Sequence, residues 1–452
     1  MDDGTIVALA TPPGKAGIAV IRLSGNDCQT IVGSLFQPLP SEWRARKIYH
    51  GYIQSAGRHI DECLVTLFKA PRSYSGEDMA EISLHSNAFI VEEVIGLACR
   101  LGARLALPGE FTYRAFRNNK MDLLQAEAVN SLIRANSKVY ALMEFNNLEG
   151  RLSQRIGSLR DRLTQLAIAV ETELEFAEEQ RLEMTAADDG LKAAANDLET
   201  ILGQSRFHDI LDQGMQVVIA GKVNVGKSSL FNALLMKERS IISHLPGTTR
   251  DYIQEKLHLD GLPFQITDMA GIRDSSGDDI ENQGMLRSLD KIAQADAVIF
   301  MVDASRPLDA SDREIYHLTG RKKRILLANK SDQAQERVVR NIRQAFDGET
   351  IHLVSAKNGE NLEPVVDFLK GLWQEMGDPA ATILVNLRQK SLLEKLLQNL
   401  REIERMQAQP AFQAEALAEE IRHSLQLIGE LTGAVSSAEI LQGIFAQFCI
   451  GK

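Results

Sequence analysis

Gly221-Lys222-Val223-Asn224-Val225-Gly226-Lys227-Ser228 is the stretch that decides how the centre of this chain folds. It has the form G-x-x-x-x-G-K-[ST]. The run before it, Val217-Val218-Ile219-Ala220, is wholly apolar and reads as a buried strand. The run that follows, Ser228-Ser229-Leu230-Phe231-Asn232-Ala233-Leu234-Leu235, reads as a helix. A glycine-rich loop between a strand and a helix turns successive N–H groups toward phosphate oxygens, and the helix start adds its positive end. In that setting Lys227 reaches the β- and γ-phosphates and Ser228 offers a hydroxyl to Mg²⁺.

Working outward, further signals follow in the order a Ras-like G domain requires. Gly247-Thr248-Thr249-Arg250-Asp251 supplies hydroxyls, with Thr249 the best second Mg²⁺ ligand. Asp268-Met269-Ala270-Gly271 is D-x-x-G at a strand end. Asn329-Lys330-Ser331-Asp332 is N-K-x-D, and Ser355-Ala356-Lys357 closes the last strand. The Asp332 carboxylate pairs with the N1–H and 2-amino groups of guanine, a donor pair that adenine lacks, so the expected nucleotide is GTP. The apolar runs Phe264–Thr267, Ala297–Val302, Arg324–Ala328 and Ile351–Val354 complete a parallel sheet covered on both faces. Ile272 stands where many such GTPases carry a water-orienting Gln. Asn224 can instead ligate a monovalent cation through its amide oxygen, and Glu281 can orient water at one remove, with a solvated acid at a helix start the plainer reading of Glu281 alone.

On either side the texture changes. Residues 1–118 mix short strands, among them Ile18–Ile21 and Cys63–Phe68, with turns and a helix over 87–101, and read as a small α/β domain. From 119 to about 210, Leu142, Phe145, Leu148, Leu152, Ile156, Leu159, Leu163 and Leu166 read as one helical stripe. After 380, Leu392, Leu396, Leu400, Ile403 and Met406 form another. The expected fold is therefore multidomain α/β plus all-α. A Ras-like P-loop domain at 211–375 is inserted into a helical domain made of 119–210 and 376–452.

Composition bounds the rest. With 50 basic and 61 acidic residues the net charge is −11, so any RNA contact must be local. Arg44, Arg46 and Lys47, and the run 321–324, are the basic clusters, and solvated loops are the plainer reading of both. Cys28, Cys63, Cys99 and Cys449 show neither disulfide nor zinc spacing. No signal peptide or membrane-length apolar run is visible, so a cytoplasmic location without membrane contact is expected.

The chain resembles the tRNA modification GTPase family known as MnmE or TrmE. The resemblance rests on Thr5-Ile6-Val7-Ala8, Thr11-Pro12-Pro13-Gly14, Ser75-Gly76-Glu77-Asp78, Pro108-Gly109-Glu110-Phe111, Lys120-Met121-Asp122-Leu123, Gln125-Ala126-Glu127-Ala128, the G motifs and Phe448-Cys449-Ile450-Gly451-Lys452. It implies GTP hydrolysis coupled to addition of an aminomethyl-type group at C5 of the wobble uridine of certain tRNAs. It also implies a homodimer joined through the N-terminal domain and a FAD-dependent MnmG or GidA partner in a heterotetramer. The carbon would come from 5-formyl- or 5,10-methylene-tetrahydrofolate. By motif match, Arg22, Glu81, Lys120 and Lys452 fall on folate-contacting positions. Asn224, Ser243, Leu245 and Thr248 fall on the K⁺ loop, whose segment Ser243-His244-Leu245-Pro246 also borders the nucleotide. Glu281 falls on the catalytic glutamate, and Cys449 on a cysteine the family needs for modification. Departures are Met269 for the usual Thr, His85-Ser86-Asn87 for H-G-G, and Lys222-Val223 for the common Arg/Pro pair.

Overall fold

The computed structural model describes residues 4–175, 185–203, 210–211, 213–237, 254–268, 290–320, 322–375, 382–407 and 414–451. These fall into two compact units. One contains residues 1–134, 144–202 and 387–452, and the other 135–143 and 203–386.

The first unit opens with a seven-stranded sheet. Its strands are β1 (Ile6–Leu9), β2 (Ala16–Ser24), β3 (Phe36–Gln37), β4 (Ile48–Ser55), β5 (Arg58–Phe68), β6 (Met79–Ser86) and β7 (Arg104–Leu105), in the order β3-β4-β5-β6-β2-β1-β7. Only the β1–β7 pairing is parallel. Helices α1 (Cys28–Leu35) and α2 (Ala88–Arg100) cover one face, burying Ile31, Val32 and Val94 against Ile21, Ile53, Val65 and Ile82. The strands alternate as a sheet with one solvated face should: in β4, Tyr49 and Ile53 are buried while Ile48 and His50 are exposed. The β2–β6 register sets Arg22 opposite Glu81.

Helices α3 (Glu110–Arg117), α4 (Leu123–Arg134), α5 (Lys138–Leu148), α6 (Arg151–Glu175) and α7 (Thr185–Gly203) follow. The apolar stripe expected across 142–166 holds only from Leu152 onward, where Leu152, Ile156, Leu159, Leu163 and Leu166 are buried. On α5 it fails. Leu142 and Phe145 are 45% and 47% exposed, while Met143, Glu144, Asn146 and Asn147 are buried. Gly150, at φ 89°, ends the helical run between α5 and α6, so the two do not share one continuous face.

The second unit is a six-stranded sheet of β8 (Met215–Ala220), β9 (Gln254–Leu259), β10 (Leu262–Asp268), β11 (Ala297–Asp303), β12 (Lys323–Asn329) and β13 (Ile351–Val354), ordered β13-β12-β11-β8-β10-β9. All neighbours are parallel except the β9–β10 hairpin. Every residue of β11 is buried, as a central parallel strand demands. Helices α8 (Lys227–Lys237), α9 (Ala310–Leu318), α10 (Glu336–Ala345) and α11 (Glu363–Gln374) accompany the sheet. Two apolar clusters sandwich it, one around Ile219, Leu230 and Met301, the other around Val218, Phe300 and Ile342.

Helices α12 (Leu387–Gln407), α13 (Ala414–Thr432) and α14 (Ala438–Phe445) return to the first unit. Leu396, Leu400 and Ile403 of α12 are buried as expected. Leu393, rather than Leu392, completes that face. Arg388 grips Glu127 of α4 with two 2.7 Å bonds, and Gln389 adds a third at 2.7 Å. Residues beyond α14 pack rather than fray: Phe445 and Phe448 are buried with Leu123 and Ala126, beside Tyr113 and Phe116. No described helix is long and apolar enough to cross a membrane.

Candidate functional site

The loop from Gly221 to Ser228 leaves the end of β8 and enters α8. Three of its residues have positive φ: Gly221 at 156°, Asn224 at 64° and Gly226 at 102°. Gly226 has a steric reason as well, because a Cβ there would lie 2.2 Å from Nδ2 of Asn329. Lys227 is only 4% exposed. Its ammonium donates to the carbonyls of Gly221 and Lys222, both at 2.9 Å, and stands 3.8 Å from Asp268. A buried cation held by loop carbonyls beside a cavity is poised to meet an anion. Ser228 Oγ donates to Asp268 at 3.4 Å, which joins the expected Mg²⁺ ligand of the P-loop to the aspartate of D-x-x-G.

The guanine motif sits at the end of β12. Asn329 is 2% exposed and used up by backbone: its Nδ2 donates to the Val225 carbonyl at 2.7 Å, and its Oδ1 accepts from Ala356 N–H at 2.9 Å. It ties the P-loop to the loop after β13. Lys330, at φ 64°, pairs with Asp303 at 2.7 Å. Ser331 starts a short 3₁₀ turn that presents Asp332. Asp332 accepts from Ser355 Oγ at 2.8 Å, and that bond holds its carboxyl below the usual range, so it is ionised and ready to accept.

These groups border one cavity of about 490 Å³. Asn224, Gly226, Lys227, Ser228, Ser229 and Asp268 line one end, and Asn329, Lys330, Asp332, Ser355 and Lys357 the other. Val223 and Gln333 also line it. Sequence reading passed over Gln333 because it follows the N-K-x-D motif by a single residue and has no fixed chemistry of its own. Ser243, His244, Leu245, Pro246, Gly247, Thr248, Thr249, Met269, Ala270, Gly271 and Glu281 lie outside the described residues.

A second constellation lies on the N-terminal sheet. Arg22 donates twice to Oε1 of Glu81, at 2.9 and 2.8 Å, and once to the Gly451 carbonyl at 3.2 Å. Its guanidinium lies over the rings of Tyr74 and Phe111, 5.4 and 5.8 Å from their centroids. Among the described residues only Oε1 of Glu81 accepts a hydrogen bond. Lys120 donates to the Pro71 carbonyl at 3.1 Å, and Lys452 lies outside the described residues. Gly451, at φ 93°, is wedged against the end of β1, where an added Cβ would meet Leu9 O at 2.2 Å. The Cys449 side chain is exposed, and its carbonyl accepts from Gly109 N–H at 3.4 Å.

The described cations of the basic run at 321–324 all have partners within the fold. Arg324 pairs with Glu349 at 2.6 Å and stacks 4.0 Å over Tyr316, Lys323 pairs with Glu375, and Lys322 donates to the carbonyls of Ala293 and Ala295.

Known proteins align with this architecture. A family model described as the MnmE helical domain matches residues 123–449, and one described as the GTP-binding protein TrmE N-terminus matches residues 5–120. The chain is 38% identical to the tRNA modification GTPase MnmE of Thermotoga petrophila, over 99% of this chain and 100% of that one. It is 36% identical to the protein of the same name from Aquifex aeolicus, over 99% of each. Among solved structures, Aquifex aeolicus Era bound to GDP and AlF4⁻ matches at 26% identity, covering 40% of this chain and 65% of that one, with a TM-score of 0.29. From the two family models and the full-length relatives, the chain belongs to the MnmE family of tRNA modification GTPases.

Proposed function

We propose that this protein hydrolyses GTP to drive a (carboxymethyl)aminomethyl addition at C5 of the tRNA wobble uridine, as a cytoplasmic homodimer working with a FAD-dependent MnmG-type partner. The observation that carries the reading is the coexistence, in a chain matching its relatives end to end, of a guanine-type nucleotide cavity and the separate Arg22–Glu81 pair. We further propose the division into 1–118, 119–210, 211–375 and 376–452.

In the nucleotide cavity, Lys227 exchanges its carbonyl partners for phosphate oxygens, and Asp332 selects guanine. Ser228 and Thr249 would hold Mg²⁺, which supplies charge neutralisation at the phosphates. The exposed amide of Asn224, with Ser243, Leu245 and Thr248, would hold K⁺ in the role an arginine finger fills elsewhere. Glu281 orients the attacking water in place of the missing Gln. On the N-terminal sheet, Glu81 accepts from the amino and N–H edge of a reduced pterin, while Lys120 and Lys452 meet the glutamate tail. The half-buried Arg22–Glu81 pair, with one carboxylate oxygen left over, fits such a ligand. Bound tetrahydrofolate supplies the one-carbon unit. Cys449, exposed two residues before Gly451, serves the modification step.

The test is nucleoside analysis. Total tRNA from cells lacking this protein is digested and its wobble C5-modified uridines are measured by mass spectrometry, with the restored gene as control. Their loss and recovery are expected. An unchanged profile would instead favour a regulatory or ribosome-assembly GTPase that does no covalent RNA chemistry.

A further inference from the structure

We propose that the exposed basic surface carrying Arg46, Lys47 and Arg72 on the N-terminal sheet is where the sugar–phosphate backbone of tRNA docks. This rests on the tRNA-modifying role proposed above. A chain of net charge −11 repels a polyanion on average, so RNA binding needs a local surplus of cations. Three segments supply one: 42–47, the β5–β6 loop at 69–78, and the α3–α4 turn at 117–122.

In these segments most acids already have partners. Glu42 pairs with Arg44 at 3.0 Å, Asp78 with Lys69 at 2.8 Å, and Glu77 with Arg114 and Arg117 at 2.7 and 3.2 Å. Asp122 caps the start of α4 by accepting from Gln125 N–H at 2.9 Å. Arg46, Lys47, Arg72 and Lys120 are exposed and have no carboxylate partner among the described residues.

The surface is also ordered before any ligand arrives. Arg46 donates to the Arg72 carbonyl at 3.1 Å, while its own N–H bonds Leu67 O at 2.7 Å. Lys120 donates to the adjacent Pro71 carbonyl at 3.1 Å. Lys47 rests 5.3 Å over the Tyr49 ring. One turn of backbone thus gathers cations from three segments and leaves most of their donors outward. The run at 321–324 is the contrast, since its described cations are consumed internally. Among the described residues these three segments carry no fully exposed aromatic ring, so the patch reads phosphates rather than bases.

The test uses the full chain and an unmodified tRNA transcript, with binding measured by fluorescence anisotropy from 50 to 200 mM KCl. The variant is Arg46→Glu/Lys47→Glu/Arg72→Glu. Lys120 is left alone because of its proposed folate role. Losing three phosphate contacts lowers the slope of log K against log salt by about 2–3 and weakens low-salt binding at least about tenfold. GTP turnover and the circular dichroism spectrum stay unchanged. The milder Lys47→Gln/Arg72→Gln variant falls between. Arg337→Glu/Arg340→Glu, on an exposed face of α10, leaves affinity and slope unchanged.

An unchanged slope in the triple variant, an equal loss in the α10 control, or no tRNA binding by the wild type overturns the proposal. If the triple variant binds tRNA normally and restores the modified uridines in deleted cells, the docking surface is wrong and the function stands. If deletion never alters those nucleosides, the function falls and the docking surface with it.

Discussion

Replacing Glu144 by Gln tests a charge decision made inside the helical part of the first unit. Glu144 is 4% exposed on α5. Burial pushes its carboxyl from 4.5 up to about 8, and the Glu127 carboxylate pushes the same way. The Asn147 amide, donating at 3.4 Å, opposes, and burial outweighs it. Arg388 and Gln389 engage both oxygens of Glu127, whereas Glu144 has no cation against it among these contacts and takes up the proton. In the unfolded chain Glu144 titrates near 4.5. Between 4.5 and 8 the folded protein therefore binds one more proton than the unfolded chain. Its contribution is complete below 4.5 and is lost as pH rises through 8, at about 1.4 kcal/mol per pH unit. The Gln amide has the same shape and no charge to suppress. Relative to wild type, Glu144→Gln should gain about 2 kcal/mol between pH 5.5 and 7, whatever the constant offset. A chain of several units does not unfold in one step, so the measurement is amide hydrogen exchange in α4 and α5, corrected for intrinsic rates. A difference between variant and wild type that does not change with pH would refute the reasoning.

Asp332→Asn should reduce guanosine nucleotide affinity at least about tenfold and favour xanthosine nucleotides; unchanged GTP affinity would remove the guanine site from this cavity. Asn329→Ala orphans the Val225 carbonyl and the Ala356 N–H, so denaturant unfolding of the nucleotide-binding unit should show a loss of about 2–4 kcal/mol, together with weaker GTP binding. Gly451→Ala forces a Cβ onto Leu9 O and should weaken reduced-folate binding by calorimetry at least about tenfold, with GTP affinity intact. Replacing K⁺ with Na⁺ should slow GTP turnover at high protein concentration, and Glu281→Gln should slow it in K⁺; equal rates would remove Asn224 as a cation ligand and Glu281 as the water-orienting group.

What the sequence made legible was contiguous chemistry. The P-loop, N-K-x-D and Ser355-Ala356-Lys357 each sit within a few residues at a strand end, so motif and burial pattern place them together. The five apolar runs all fall within β8, β10, β11, β12 and β13. Helix α2 was equally plain. β9 was missed because Gln254–Leu259 is largely polar and owes its pairing to the β10 hairpin. The α5 face was misread because periodicity counts apolar residues, whereas the fold buries Glu144, Asn146 and Asn147 there. Arg22 and Glu81 came from resemblance alone, and Gly451 was quoted only as part of the tail motif. Their meeting depends on sheet register and on a docked tail, neither of which spacing reveals. Buried Arg114, bonded to Glu77 and to the Gly4 carbonyl, was hidden for the same reason.

The bond from Arg22 to the Gly451 carbonyl spans 429 residues. At bacterial or eukaryotic synthesis rates, the ribosome needs roughly 20–90 s to travel that distance. The N-terminal sheet can pair Arg22 with Glu81 early, yet for all of that interval the pair lacks its third partner. A chain abandoned before Gly451 carries the whole nucleotide cavity, while its Arg22–Glu81 pair stands without the tail carbonyl. Completion of that contact therefore records that the ribosome has passed Gly451.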